Sequence, residues 1–248
     1  MATATSDQHI LQQEREKLHV MLLSSVSHDL KTPLSCIIGS LEIHQQLKAT
    51  LSADHKDTLI NTAIEEARRL DSFITNIIDM SKLESGIAFK REPVSIASLA
   101  EQCVLQLEPH MNGRKIGLEL LSQVTAEVNA AWISRAITLL LDNALRYTPE
   151  EAEITVSVSG DNCAFWIAVR DSGPGISSKL QSGIFQKHTR AERQDSKIAG
   201  TGLGLPICKA IIEAHGGSIR MESSSAGTVF TLALPVTRTH LKQKKAPV

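Results

Sequence analysis

The chain has 248 residues, with 26 basic and 27 acidic side chains and a formal net charge of −1. That balance excludes a polycationic surface for nucleic acid, and 3% aromatics leave little for a sheet that stacks bases. At 42% hydrophobic residues the chain can bury a core, which excludes wholesale disorder.

From about Ile10 to Glu84 the pattern is helical, and Gly39 is the only glycine. Leu18, Leu22, Val26 and Leu30 recur every fourth residue, and Ile37, Ile38 and Leu41 carry the apolar face onward. A polar break at Lys48 to Asp54 follows. Leu59, Ala63, Leu70, Phe73, Ile77 and Met80 then fall on three- and four-residue steps, interrupted by Glu66 and Glu84. A second line of Ile60, Ile64, Ala67, Ile74 and Ile78 widens that stripe. Two long helices joined by a short turn make an antiparallel hairpin. A lone hairpin leaves much of both stripes wet, so association of two copies into a four-helix bundle is expected. A plain coiled-coil spacer would explain the heptads equally well.

After Ser85-Gly86 the texture changes. Residues 94–109 are predicted helical, on Val94, Ile96, Leu99, Cys103 and Leu107. Strands are predicted at Ile116–Leu121, Ile154–Val158, Cys163–Val169, Ser218–Glu222 and Thr228–Leu234, with helices at Trp132–Tyr147 and Leu205–Ala214. Glycines cluster at 173, 175, 200, 202, 204, 216, 217 and 227. The expected fold class is α+β, a helical hairpin followed by an α/β sandwich with a glycine-rich rim. The divisions are residues 10–86, residues 87–236 and a basic, solvated tail over 237–248. No run of about 18 apolar residues and no signal peptide is present, so no membrane span is expected in this chain. Cys36, Cys103, Cys163 and Cys208 lie far apart without a Cys-x-x-Cys pair, which predicts reduced thiols of a cytosolic protein.

Ser27-His28-Asp29-Leu30-Lys31-Thr32-Pro33-Leu34 is the first segment that carries chemistry. Residues two apart on a helix differ by about 200°, so His28 faces away from the Val26/Leu30 stripe, and Thr32 shares its face. Pro33 cannot donate to the Asp29 carbonyl and is expected to bend or loosen the helix there. Asp29 can hold the imidazole tautomer and take its proton while the other nitrogen attacks. An exposed helical histidine is more often an ordinary surface residue. A Ser27/His28/Asp29 hydrolytic triad is disfavoured because consecutive helical residues diverge by about 100°.

Asp171-Ser172-Gly173-Pro174-Gly175 follows a strand, where a carboxylate can accept from a nucleobase amine and the glycines let backbone approach a flat ring. The same residues also make ordinary turns. Gly200-Thr201-Gly202-Leu203-Gly204-Leu205-Pro206 opens a helix whose first amides and dipole favour anions. Its spacing is neither that of a dinucleotide fold nor of a P-loop. Asn143, Arg146 and Tyr147 share one helical face. There an amide oxygen can ligate Mg²⁺ and a guanidinium can pair with phosphate, although plain surface polarity looks the same. Residues Ser177–Ala199, rich in Lys, Arg, Gln and Ser, are expected to form a mobile lid over phosphates or a merely disordered loop.

In this order, the motifs resemble the catalytic core of a bacterial two-component sensor histidine kinase. Ser27–Leu34 is similar to the phosphoacceptor box and Leu141-Asp142-Asn143-Ala144-Leu145-Arg146-Tyr147-Thr148 to the asparagine box. Asp171–Gly175 and Gly200–Leu205 resemble two glycine boxes, and Ala226-Gly-Thr-Val-Phe230 the last one. The resemblance covers residues 18–236 and extends to the Kdp-type potassium-sensor kinases. It implies a dimerisation and histidine-phosphotransfer hairpin followed by a Bergerat-type ATP-binding domain, with ATP and Mg²⁺ as cofactors. It further implies a homodimer whose partner is a response regulator receiver domain, in the cytoplasm, either as a soluble kinase or as the cytoplasmic portion of an inner-membrane receptor.

By the same resemblance His28 takes the γ-phosphoryl group, Asp29 is its base, and Thr32 helps orient water when the regulator is dephosphorylated. Asn143 ligates Mg²⁺, Arg146 meets phosphates beside Tyr147, and Asp171 reads adenine. Gly173, Gly175, Gly200, Gly202 and Gly204 shape the loops. Three departures stand out. Leu139 occupies the place of a second asparagine, His188 that of an aromatic after Phe185, and Arg146 that of a lysine. They predict weak or slow ATP use. A related Bergerat-fold ATPase and a degenerate nucleotide-binding dimeric scaffold are the alternatives. Leu139 favours the scaffold, and His28 five residues before Pro33 argues against the ATPase.

Overall fold

The computed structural model describes residues 27, 29–86, 90–108, 111, 113–186 and 202–236. His28, the start of the hairpin before Ser27, His188, Gly200 and the basic tail therefore lie outside the described residues. The chain divides into two compact units, Met1–Ile78 and Asp79–Val248.

The first unit is helical. Helix α1 covers residues 29–46 and runs on through Pro33, and α2 covers Ala53–Glu84. Ser52 starts α2 by accepting from His55 N at 3.3 Å, which satisfies one of the orphan amides of the first turn. Residues 47–52 connect the two helices. Pro33 and Ser40 on α1 and Ala63, Phe73 and Asn76 on α2 are buried. Much of the apolar stripe is not. Leu34, Ile38, Leu41, Ile60, Ile64, Ile74 and Ile78 each keep between 38% and 48% of their surface accessible.

The second unit is a layer of helices on a mixed sheet. Its elements are β1 (Glu92–Ser95), α3 (Ile96–Leu107), β2 (Ile116–Leu120), β3 (Thr125–Val128), α4 (Ala130–Tyr147), β4 (Ile154–Gly160), β5 (Ala164–Asp171), α5 (Ser178–Gln181), α6 (Gly204–Ala214), β6 (Ser218–Ser224) and β7 (Gly227–Pro235). The main sheet has the order β2-β4-β5-β7-β6, in which only β2 and β4 are parallel. Alternation sets its two faces. Ile154, Val156, Val158, Phe165, Ile167, Val169, Phe230, Leu232 and Leu234 are buried, while the intervening residues are more open. Helices α3, α4 and α6 cover the buried face with Leu99, Ile133, Ile137, Leu140, Leu141, Ile207 and Ile211.

The helix predicted over residues 94–109 begins only at Ile96, because Val94 and Ser95 pair with Ala126 and Thr125 in a small antiparallel sheet. Ser95 caps the helix by accepting from Ser98 N, and Ile96 N donates to Val124 O at 3.0 Å. The strands β1 and β3 are absent from the sequence reading. Elsewhere the predicted strands and helices appear with ends shifted by at most two residues. All four cysteines are free, Cys103 and Cys208 in the core and Cys36 and Cys163 exposed. Among the described residues no helix is long and apolar enough to cross a membrane.

Candidate functional site

Helix α4 organises the site in the second unit. Asn129 caps its start by accepting from Trp132 N at 3.1 Å, and its apolar face of Ile133, Ala136, Ile137, Leu140, Leu141 and Ala144 sits on the sheet. That fixes its rotation and leaves Asn143 and Tyr147 half-buried and Arg146 exposed at its C-terminal end. The helix ends at Thr148, whose hydroxyl donates to Ala144 O at 2.7 Å.

Beside this end lies the turn after β5. Asp171 is half-buried, and its Oδ1 accepts from Gly173 N at 2.9 Å while the carboxylate also takes the main-chain N–H of Thr228. Burial pushes this carboxyl above the ordinary aspartate range, and the two amide donors pull it back. Gly173 has no room for a side chain, since a Cβ there would stand 2.6 Å from Thr148 Cγ2 and 2.9 Å from Asp171 Oδ1. Gly175 has a φ of 73°, and a Cβ on it would overlap the Ser224 carbonyl oxygen. The next residue is docked on the β6–β7 hairpin, with Ile176 N donating to Ser223 Oγ at 2.8 Å and Ser223 Oγ 2.9 Å from Thr228 Oγ1.

The second glycine segment meets the same helix two turns earlier. Gly202 takes a φ of 67°, and α6 opens at Gly204 behind Leu203, whose side chain makes no capping bond. Leu139 is buried, and its Cδ2 would lie 3.6 Å from a Cβ on Gly204. At the departure from the family pattern, this side chain contributes apolar packing between α4 and α6 in place of a polar donor. Pro206 stands in the first turn of α6, where its missing N–H leaves no bond unmade. Of the predicted lid, residues 177–186 are described. They include α5, the buried Ile184, and Phe185, which stacks edge-on against Phe230 at 6.3 Å.

The structure thus brings Asp171 and Gly173 to the C-terminal end of α4, with Gly175 against the β6–β7 hairpin and Gly204 beside Leu139 of the same helix. In the first unit, Asp29 is half-buried and Thr32 exposed on α1. His28 and Gly200 lie outside the described residues. Sequence reasoning missed Thr228, Ser223 and Thr148. Thr228 lies within Ala226–Phe230 and Thr148 closes Leu141–Thr148, so both stand inside sequence motifs that mark the site. Arg114, which binds Thr148, carried none.

Residues 19–86 match the His kinase A phospho-acceptor domain. Residues 128–238 match the histidine kinase-, DNA gyrase B- and HSP90-like ATPase domain. The chain belongs to the sensor histidine kinases. Sensor protein KdpD of Escherichia coli (strain K12) is 32% identical to this chain over 240 residues, covering 94% of the chain and 26% of that relative. Adaptive-response sensory kinase SasA of Synechococcus sp. (strain JA-2-3B'a(2-13)) is 30% identical over 242 residues, covering 92% and 64%. The chain therefore spans about a quarter to two thirds of these curated relatives' length. Among solved structures, the histidine kinase AdeS of Acinetobacter baumannii has a TM-score of 0.65 at 20% identity, covering 85% of this chain and 98% of its own. The histidine kinase ThkA, in complex with response regulator TrrA, has a TM-score of 0.67 at 24% identity, covering 90% and 64%. Both share the kinase fold at low identity.

Proposed function

We propose that this histidine kinase core transfers the γ-phosphoryl group of ATP to His28 and then to an aspartate of a response regulator. The observation that carries this reading is the pairing, in one chain, of a phosphoacceptor helix with an ATPase domain whose half-buried Asp171 is held by two amide donors. Asp171 accepts from the exocyclic amine of adenine. Gly173 and Gly175 fit the turn that carries Asp171, because a Cβ at the first would run into Thr148 and Asp171 and one at the second into the Ser224 carbonyl. Gly202 and Gly204 present amides to the phosphates at the start of α6, and the motif assigns Gly200 to the same loop. Arg146 and Tyr147 meet the phosphates from α4.

The donor set fits Mg²⁺ carried in on the nucleotide. Asn143 offers one amide oxygen, and Mg²⁺ keeps several waters and takes few protein ligands beside phosphate oxygens. Bound there, the ion supplies charge neutralisation to the transferred group. Asp29 takes the proton from one imidazole nitrogen of His28 while the other attacks phosphorus. The bond from phosphorus to the ADP oxygen breaks, leaving phosphohistidine and ADP. The receiver aspartate then accepts the phosphoryl group and regenerates His28. Thr32, exposed one turn on, orients water for the reverse signal, dephosphorylation of the regulator.

The exposed apolar face of α1 and α2 supports a homodimer through a four-helix bundle. Four free cysteines and the use of ATP support a cytoplasmic location. We assign the boundary between the two functional domains to residues 86 and 87, at the limit of the phospho-acceptor match and just past the end of α2 at Glu84. Incubation with γ-labelled ATP tests the activity. An acid-labile, base-stable label must appear on the wild type and vanish in His28→Gln, and Asn143→Ala must label far more slowly. Nucleotide binding without label would instead favour a scaffold.

A further inference from the structure

We infer that Arg114 is a positioning residue for the adenine end of the nucleotide site, acting through Thr148 and Gly173 on the Asp171 carboxylate. The inference rests on the proposed assignment of Asp171 to adenine. Arg114 stands just before β2, outside every motif that marks the family. Its Nη2 donates to Thr148 Oγ1 at 2.6 Å, and its Nη1 donates to Leu145 O at 3.0 Å. The cation therefore sits on the carbonyl end of α4, where the helix dipole favours it.

The threonine hydroxyl is held from both sides, accepting from the guanidinium and donating to Ala144 O at 2.7 Å. Both bonds fix χ1, and with it the direction of the methyl group. That methyl is the wall against which Gly173 lies, as the 2.6 Å approach of a hypothetical Cβ shows. Gly173 N in turn holds Asp171 Oδ1 at 2.9 Å. A planar fork reaches the carbonyl and the hydroxyl at once, which a single ammonium cannot do with the same geometry. Arg114 Nε is buried and makes no hydrogen bond, so the hydrogen bonds of this guanidinium run from its two Nη atoms to Leu145 and Thr148.

The test compares equilibrium binding of ATP and of purine riboside triphosphate, which lacks the exocyclic amine, to the full chain. Wild type must prefer ATP. Arg114→Gln is expected to weaken ATP about tenfold and to leave the analogue within about twofold. In an Asp171→Asn background the same change must add nothing, because both act on one contact. Should Arg114→Gln not fold, Thr148→Val keeps the volume and the Arg114–Leu145 bond and must give the same selective loss. Equal losses for both nucleotides, additivity with Asp171→Asn, or a lower melting temperature with intact preference would each overturn the role of Arg114. A wild type with no preference for ATP would overturn the Asp171 assignment and this inference together.

Discussion

Alanine at Gly173 would place its Cβ 2.6 Å from Thr148 Cγ2, 2.9 Å from Asp171 Oδ1 and 3.3 Å from Thr148 Cβ. Carbon contacts are comfortable from about 3.5 Å, so one neighbour must retreat by roughly 0.9 Å. Thr148 is poorly able to move, since its hydroxyl is clamped at 2.6 Å by Arg114 and at 2.7 Å by Ala144 O. The Asp171 carboxylate turns more freely, and turning it gives up the 2.9 Å bond from Gly173 N. Overpacking costs about 1–3 kcal/mol, and a hydrogen bond to a charged group contributes about 1.5–3 kcal/mol. Because Asp171 is only half-buried, water recovers part of the second quantity. The expected loss is about 2 kcal/mol of stability, with ATP affinity falling ten- to a hundredfold, or about 1.4–2.8 kcal/mol. Urea unfolding of the ATPase domain reads the first and calorimetric titration of ATP the second. Gly175→Ala is the harsher companion, since it adds a left-handed φ of 73° to an overlap with the Ser224 carbonyl. A Gly173→Ala protein of reduced stability with undiminished ATP affinity would refute the idea that this turn aims the carboxylate.

Ile38→Glu puts a charge on the exposed apolar face of α1 and should raise the dimer dissociation constant about a hundredfold or more. Sedimentation equilibrium showing an unchanged dimer would place the interface elsewhere. Cys36 and Cys163 are exposed, whereas burial pushes the Cys103 and Cys208 thiols up. A maleimide should therefore modify only the first pair in the folded chain, and mass spectrometry finding Cys208 labelled would contradict the packing. His215 accepts Asn129 N at Nε2 over 3.2 Å, and its Nδ1 lies 2.8 Å from Ile211 O. Burial, with Arg91 adding to it, holds its pKa below the ordinary histidine value. Its contribution to stability is thus full above about pH 6.5 and is lost as pH falls toward the folded-state pKa, because the unfolded chain binds the proton first. His215→Gln should flatten the slope of unfolding free energy between about pH 7 and 5, and an unchanged slope would assign the titration to another group.

Much of the fold was legible because solvent and core impose a local period on each element. The strict alternation of Ile154, Val156 and Val158, and the three- and four-residue steps from Leu59 to Met80, need no knowledge of distant residues. Strands β1 and β3 were not legible. Each has four residues, too few for a period to show, and Pro93 within β1 reads as a breaker. The start of α3 shifted for the same reason, since Val94 fits an apolar helical face as well as it fits a short strand. At the site, Asp171 and the glycines declared themselves by residue type, because few residues serve where backbone must pass close. Arg114 and Thr148 did not, for an arginine before a strand and a threonine after a helix are common anywhere.

The chain alone therefore specified the order of helices and strands, the residue types at the candidate site and the family to which they belong. Only the folded sheet and its helices decided that Thr148 leans on Gly173, that Leu139 meets Gly204, and that Thr228 lies under Asp171. Periodicity is written one residue at a time by which side faces water. Contacts between remote segments exist only after strands have chosen their neighbours and a helix has been pressed onto them at one rotation.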